Sequence, residues 1–129
     1  MAWFFRYDPE RELLIQLIEG NFSLEDLGAL RKARREQAVP SRAKRCLNDM
    51  RRCTLDFTLG ELRKNEFAGG ALETGGARTA VLAAEALPTA MTMLWGRMLE
   101  GIAEVHVFST PEAAYAWLGV SQEDGDTAF

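Results

Sequence analysis

The second half of the chain alternates short apolar runs with helical segments, and this alternation restricts the fold more than any other feature. Strands are predicted at residues 44–50, 78–84 and 104–108. A capped or amphipathic helical segment follows each of them, beginning near Thr58, Pro88 and Ser109. Strands that alternate with helices pair in parallel through right-handed crossovers, so the sequence predicts an α/β fold.

Two β-prone runs come before this alternation, WFFRY at 3–7 and LLIQLI at 13–18. They are predicted to pair as an antiparallel hairpin, with a break at 19–21. Ser23 then caps a helix, which gives the order β-β-α-β-α-β-α-β-α. We therefore predict a mixed sheet of about five strands with about four helices. This single domain covers residues 1–120, and a disordered acidic tail covers 121–129.

The clearest helical pattern lies near Pro88. Apolar residues recur there at helical spacing, namely Leu87, Met91, Leu94, Trp95, Met98, Leu99 and Ile102. Such a stripe usually packs into a core. The alternative is an apolar pocket against the sheet, lined by Met91, Leu94, Trp95 and Met98. The glycine-rich segment 69–76 is predicted to be a loop, and it lacks the Gly-Lys-Ser/Thr ending of a phosphate-binding loop.

The chemistry-bearing residue types are few. Cys46 and Cys53 have a spacing that suits neither a redox motif nor a zinc site, and His106 is the only histidine. No apolar run approaches the roughly 20 residues that cross a bilayer, and the start does not resemble a secretory signal. We therefore expect a cytoplasmic protein with reduced thiols, without metal, cofactor or enzymatic activity.

The charge is distributed unevenly along the chain. Between Arg31 and Arg52 there are nine lysines or arginines and two acids, a balance of +7, whereas the whole chain carries −4, which leaves −11 elsewhere. A basic patch on an acidic body indicates a contact with something anionic. A solvated helix face is the simpler interpretation, because no aromatic residues interleave with these bases as in a nucleic-acid surface.

A polar junction after the third predicted strand is the candidate recognition surface. It contains Asp49, Arg51, Arg52 and Thr54 in a predicted turn, and Thr58 then opens a helix. Ligands and partners of open α/β folds bind at the carboxyl ends of strands, where this turn is predicted to lie. The alternatives are that the acid satisfies the turn, that the arginines are solvated, and that Thr58 only caps its helix together with Glu61.

The layout resembles STAS domains (sulfate transporter and anti-sigma-factor antagonist), particularly the small stand-alone STAS-like proteins. Three stretches carry the resemblance over roughly residues 2–119: CLNDMRRCTLDFTLGEL, RTAVLAAEALPTAMTMLWGRMLE and EVHVFSTPEAAYAWLG. In the antagonist branch, the serine that opens the helix is phosphorylated, and Thr58 takes its place here. Phe57 replaces the aspartate that precedes this serine in the family, which is a departure from the pattern.

The resemblance implies a non-enzymatic regulatory module that binds a protein partner under a phosphorylation switch at Thr58. Because the stand-alone group also resembles lipid-binding folds of the Sec-14 type, a small apolar ligand or lipid is the alternative. Nucleic-acid binding through residues 31–52 is a less favoured third class. Trp3 and Phe5 on the hairpin would suit a homodimer, although burial in the core explains them equally well.

Overall fold

The structure is a computed structural model that describes residues 3–40, 42–68 and 75–122. Its strands are β1 Trp3–Asp8, β2 Leu13–Phe22, β3 Arg42–Leu55, β4 Gly75–Leu82 and β5 Glu104–Phe108. Its helices are α1 Leu24–Glu36, α2 Leu59–Ala68, α3 Ala86–Met98 and α4 Pro111–Leu118. The predicted order of elements is confirmed.

All five strands form one sheet in the order β1-β2-β3-β4-β5. β1 and β2 pair antiparallel, whereas β2–β3, β3–β4 and β4–β5 are parallel. The predicted α/β class with an antiparallel opening hairpin is thus confirmed. Each helix between parallel strands leads to the next strand in the sheet, so the chain builds the sheet from one edge to the other.

The helix termini follow the local sequence signals. The Ser23 hydroxyl accepts from the Asp26 N–H, and the Asp26 carboxylate accepts from the Ser23 N–H, which satisfies two donors at the start of α1. Thr110 caps α4 ahead of Pro111, and Gly119 ends α4 with a φ of 76°. A residue with a Cβ is strained in this left-handed conformation, so glycine suits the end of α4.

The two faces of the sheet carry different cores. On one face, α4 packs over apolar residues of the central strands; this core comprises Leu13, Ile15, Leu47, Ala80, Leu82, Ala114, Tyr115 and Leu118. Side chains alternate between the faces along a strand, so Gln16 and Val81 point to the opposite face. There α1 packs through Leu30 against Ile18, Phe22 and Cys53, and α2 and α3 contribute the remaining cover.

Two central strands are longer than predicted. The predicted break at 19–21 is wrong, because β2 continues to Phe22 alongside β3. The predicted turn after residue 50 is also wrong, because β3 continues to Leu55. The register shifts between the Leu17–Asp49 pair and the Glu19–Arg52 pair. β3 therefore has one extra residue at this point, which is the arrangement of a β-bulge.

Other boundaries differ by a few residues. β4 begins at Gly75 and ends at Leu82, so residues 75 and 76 of the predicted loop belong to the strand, while 69–74 lie outside the described residues. α3 ends at Met98, before Ile102. The predicted tail lies outside the described residues from 123 onward. Among the residues that the structure describes, no helix combines the length and the apolar character needed to span a membrane.

The core assignment makes a direct prediction about stability. Leu82→Ala should lower the free energy of unfolding by about 3 kcal/mol, because Leu82 is completely buried on the face of the sheet that α4 covers and its truncation would leave a cavity. Leu87→Ala is the matched control, because Leu87 is 59% exposed on α3, and it should change the stability by less than about 0.5 kcal/mol. Urea denaturation measures both, and equal losses would contradict the packing described here.

Candidate functional site

A cavity of about 100 Å³ lies between the sheet and helices α1, α2 and α3. Its walls are mainly apolar and come from α1, the end of β3, α2 and α3; they include Leu27, Leu30, Met50, Leu55, Phe57, Leu62, Met91 and Trp95. Polar side chains also reach it, namely Gln16, Arg31, Arg34, Asn48 and Thr92. The site therefore combines an apolar body with a localised polar region, which is the usual composition of a small-molecule pocket.

The floor of the cavity follows from the register of the central strands. Gln16 of β2 is paired with Asn48 of β3, and Asn48 is paired with Val81 of β4. Paired residues on neighbouring strands present their side chains on the same face, so these three form one row across the sheet. Of these three residues only Val81 is apolar.

A buried hydrogen-bonded chain connects the polar residues. Arg34 donates through Nη1 to Gln16 Oε1 at 2.7 Å, and Gln16 Nε2 donates to Asn48 Oδ1. Gln16 is 4% exposed and Arg34 is 7% exposed, so both are removed from solvent. Burial of such groups is unfavourable unless they are hydrogen-bonded, and these bonds satisfy both the oxygen and the nitrogen of the Gln16 amide.

The α3 wall contributes one satisfied and one unsatisfied polar side chain. Thr92 Oγ1 donates to the Pro88 carbonyl oxygen at 2.7 Å. The indole Nε1 of Trp95 is buried and has no hydrogen-bond partner in the described part of the chain. A buried donor without a protein partner is uncommon and can be satisfied by a water molecule or a ligand.

The residues of the predicted apolar pocket separate into two groups. Met91 and Trp95 line the cavity, as the stripe on α3 suggested. Leu94 and Met98 are not among the lining residues, and Leu94 is 43% exposed. The helix therefore turns only part of its apolar stripe towards the sheet.

The predicted recognition turn does not form. Asp49, Arg51, Arg52 and Thr54 all lie within β3, because the bulge allows the strand to continue beside β2. Asp49 is buried and accepts from Arg51 through Nε at 2.9 Å and Nη2 at 2.7 Å. This hydrogen-bonded carboxylate raises the pKa of Arg51. Asp49 and Arg51 are thus engaged with each other, and the exposed side chains of Arg52 and Thr54 do not join them in a corner.

Thr58 lies immediately before α2 and is exposed. Its hydroxyl accepts from the Glu61 N–H at 3.1 Å, and the Glu61 carboxylate accepts from the Thr58 N–H at 3.0 Å. These reciprocal bonds form the predicted capping box. Its neighbour Phe57 and Leu62 of α2 both line the cavity, so the capped turn connects the predicted phosphoacceptor position to the cavity wall.

The basic segment does not form one surface patch. Arg34 is buried, Arg45 donates to the Leu118 and Arg11 carbonyl oxygens, and Arg51 pairs with Asp49. The exposed lysines lie near acids, Lys32 near Glu36 and Lys44 near Glu12. Much of the +7 balance of this segment therefore serves contacts within the domain.

The structure also shows where the cysteines and the histidine lie. Cys46 and Cys53 are free and buried. His106 is exposed and packs against Trp117, with 4.8 Å between the ring centroids and the rings tilted by 47°. Within 3–40, 42–68 and 75–122, no three His, Cys, Asp or Glu side chains are grouped so that they could hold a metal ion.

Sequence reasoning missed Gln16, Arg34 and Asn48. The signal for Gln16 was present, because it is the only polar residue within the apolar run LLIQLI. A polar residue inside a buried strand needs a hydrogen-bond partner in the interior. Arg34 was hidden among neighbouring basic residues at the end of α1. Asn48 was interpreted as the end of a strand that in fact continues.

Comparison with solved structures identifies the fold. The chain is similar to an uncharacterised protein of the DUF3478 family from Shewanella loihica PV-4, whose crystal structure has a SpoIIAA-like fold. The TM-score is 0.65 at 16% sequence identity, and the match covers 91% of this chain and 94% of that chain. No protein-family model and no curated protein matches the sequence. The resemblance to STAS-like proteins is thereby confirmed for the fold.

The buried thiols give a pH-dependent prediction. Burial raises the pKa of Cys46 to about 12 and that of Cys53 to about 11. The pKa of an unfolded thiol is about 8.5. Below this pH the thiols are neutral in both states and the folded protein keeps its full stability; above it the unfolded state loses protons first, so stability falls as the pH rises towards 11 and 12. Cys46→Ala should reduce the slope of unfolding free energy against pH by about 1.4 kcal/mol per unit between pH 9 and 11.

Urea denaturation at a series of pH values measures this slope, and Cys53→Ala provides a second thiol variant. Titration of lysines and tyrosines is common to all three proteins, so only the difference between the curves is compared. Parallel curves for the wild type and Cys46→Ala would contradict the burial of this thiol.

Proposed function

We propose that this protein binds a small molecule in the cavity between the sheet and helices α1–α3. The observation that carries the proposal is the combination of an apolar cavity with a buried polar chain on its floor. Neighbouring layers of a domain normally pack as densely as organic crystals, so an apolar cavity of about 100 Å³ between the sheet and its helices, partly open to solvent, departs from ordinary packing. The cavity lies over the central strands, so side chains of the strands and of α1, α2 and α3 can all contact a molecule bound in it.

The buried arginine supports this interpretation. An arginine that is 93% removed from solvent is unfavourable even when paired, and apolar side chains of similar volume commonly stabilise a protein equally well or better. Stability alone therefore does not explain Arg34 at this position. A ligand-binding role explains why the polar chain adjoins the cavity rather than the tightly packed core beneath α4.

Benzene provides a simple probe of the cavity, because an engineered apolar cavity of about 150 Å³ binds it in another protein. Benzene at ten times its dissociation constant should stabilise the wild type by about 1.4 kcal/mol. For a domain of this size, Tm should rise by about 5 °C. Met91→Trp should abolish the shift, because Met91 lines the cavity and the larger side chain would fill it.

Met93→Trp is the matched control, because Met93 lies two residues away on α3 and is 61% exposed. It should retain the full benzene response. Native mass spectrometry of the purified wild type and of Met91→Trp would additionally reveal a co-purified ligand in the first protein alone. An equal rise in Tm with benzene for Met91→Trp and Met93→Trp, or no rise for the wild type, would contradict ligand binding in this cavity.

A second proposed function is protein interaction through the outer face of α3. Leu87 and Leu94, which are 59% and 43% exposed, lie seven residues apart and therefore on the same side of α3, and Met93 beside Leu94 is 61% exposed. An exposed apolar patch is typical of an interaction surface. The exposed capping residue Thr58 of the neighbouring helix corresponds to the phosphorylated serine of STAS antagonists, which supports a switched contact of this kind. A phosphate there would face Glu61 and disturb the capping box.

Pull-down from cells that express the protein can test this second function, with wild type, Thr58→Ala, Thr58→Glu and Leu94→Glu as baits. A specific partner should be lost with Leu94→Glu, because a charge would be buried at the contact. Its binding should differ between Thr58→Ala and Thr58→Glu. Identical partners and affinities for all four baits would exclude a contact through this face.

A further inference from the structure

We infer that the ligand of the cavity carries a hydrogen-bond acceptor without a donor of its own, a carbonyl or carboxylate group, on a small apolar body. This inference rests on the proposed binding function and defines the chemical class of the ligand. It follows from the direction in which hydrogen bonds run through the polar chain on the cavity floor.

The direction begins at Arg34, whose guanidinium can only donate hydrogen bonds. The Gln16 atom that faces it at 2.7 Å must therefore be the carbonyl oxygen Oε1. This places the amide nitrogen of Gln16 towards Asn48, and the atom of Asn48 that receives this bond must be Oδ1. Because a guanidinium cannot accept, the sequence of donors fixes the orientation of both amides.

The last group of the chain is the Asn48 amide nitrogen. Asn48 Oδ1 receives the hydrogen bond from Gln16 and also a weak contact from Cys46 Sγ at 3.4 Å. Within the described residues, Asn48 Nδ2 donates to no acceptor, although Asn48 lines the cavity. The floor therefore offers a donor to the cavity, while its two amide oxygens already accept hydrogen bonds from protein groups.

A second donor comes from the opposite wall. Trp95 Nε1 is buried and lacks a partner in the part of the chain that the structure describes, and an indole N–H cannot accept. Trp95 lies on α3, so its position is independent of the hydrogen-bonded chain that begins on α1. Two residues from elements that pack from different directions, each with an N–H group that has no partner among the described residues, thus line the same cavity. Arg31 and Arg34 add only donor groups to its lining.

The excess of hydrogen-bond donors over acceptors in the cavity lining determines which ligand is complementary to it. A donor group on the ligand could use the Thr92 hydroxyl oxygen as an acceptor, but it would leave the Asn48 and Trp95 N–H groups without partners, which is unfavourable in a buried site. An acceptor satisfies both. The cavity of about 100 Å³ limits the enclosed part of the ligand to roughly a single ring or a short branched chain.

Four probes of nearly the same size distinguish the possibilities. Acetophenone and benzoate have acceptor groups, ethylbenzene has no polar group, and benzylammonium has a donor group. Calorimetry with the full chain should show that acetophenone and benzoate bind about tenfold more tightly than ethylbenzene. Benzylammonium should bind more weakly than ethylbenzene. A difference between acetophenone and benzoate identifies the contribution of the arginines, because only benzoate is charged.

Three variants assign the effect to the two donors. Asn48→Asp keeps the oxygen that accepts from Gln16 and replaces only the N–H₂ group by an oxygen. It should therefore remove the preference for acetophenone over ethylbenzene, and it should weaken benzoate binding even more because two carboxylates repel each other. Trp95→Phe keeps an aromatic ring but removes Nε1, and it should weaken acetophenone about threefold to tenfold. Trp117→Phe changes a tryptophan outside the cavity and should bind all probes as the wild type does.

The outcomes separate this inference from the proposed function. If ethylbenzene binds as tightly as acetophenone to the wild type, or if Trp95→Phe leaves acetophenone binding unchanged, the acceptor class is wrong but the binding cavity remains. Preferential binding of benzylammonium would also overturn it. If none of the four probes nor benzene binds, the proposed function itself fails. Trp95→Phe alone decides the inference should Asn48→Asp not fold.

Discussion

The parallel pairing of β2 with β3 is the constraint on which the rest of this molecule depends. It aligns Gln16 with Asn48, and the pairing of β3 with β4 extends the row to Val81. This row forms the floor of the cavity, and a one-residue change in register would turn the two amides to the face covered by α4. The bulge shifts the register only after Asp49, so the row itself is unaffected. Beyond the row, the end of β3 contributes Met50 and Leu55 to the cavity wall.

The two faces of the sheet show two solutions to burial. Beneath α4 the core is filled with leucine, isoleucine, alanine and tyrosine side chains, and close packing provides its stability. Beneath α1–α3 the apolar side chains surround a space instead of filling it, and a hydrogen-bonded arginine and two amides occupy the floor. Such a polar network in a core is favourable only when all its members are satisfied. Among the described residues, the buried Trp95 Nε1 beside it has no hydrogen-bond partner.

Much of the fold could be predicted from the sequence because its signals are local. The capping boxes at Ser23 and Thr58 formed as expected, and the alternation of strands and helices gave the class and the order of elements. The errors concern features that depend on partners distant in the chain. The polar residues 48–52 indicated a turn, whereas pairing with β2 kept them in a strand. The cavity could be anticipated from Met91 and Trp95, but its polar floor required the register between strands that no local pattern contains.

The order of strands in the sheet has a consequence for how the molecule is made. Each strand pairs with the one that precedes it in the chain, so a polypeptide leaving the ribosome can extend the sheet strand by strand without waiting for a distant segment. The floor row is complete once β4 has joined, but Trp95 arrives only with the following helix. Four of the five strands are therefore synthesised before the helix that closes the cavity, and β5 joins the edge of the sheet only after α3 has emerged.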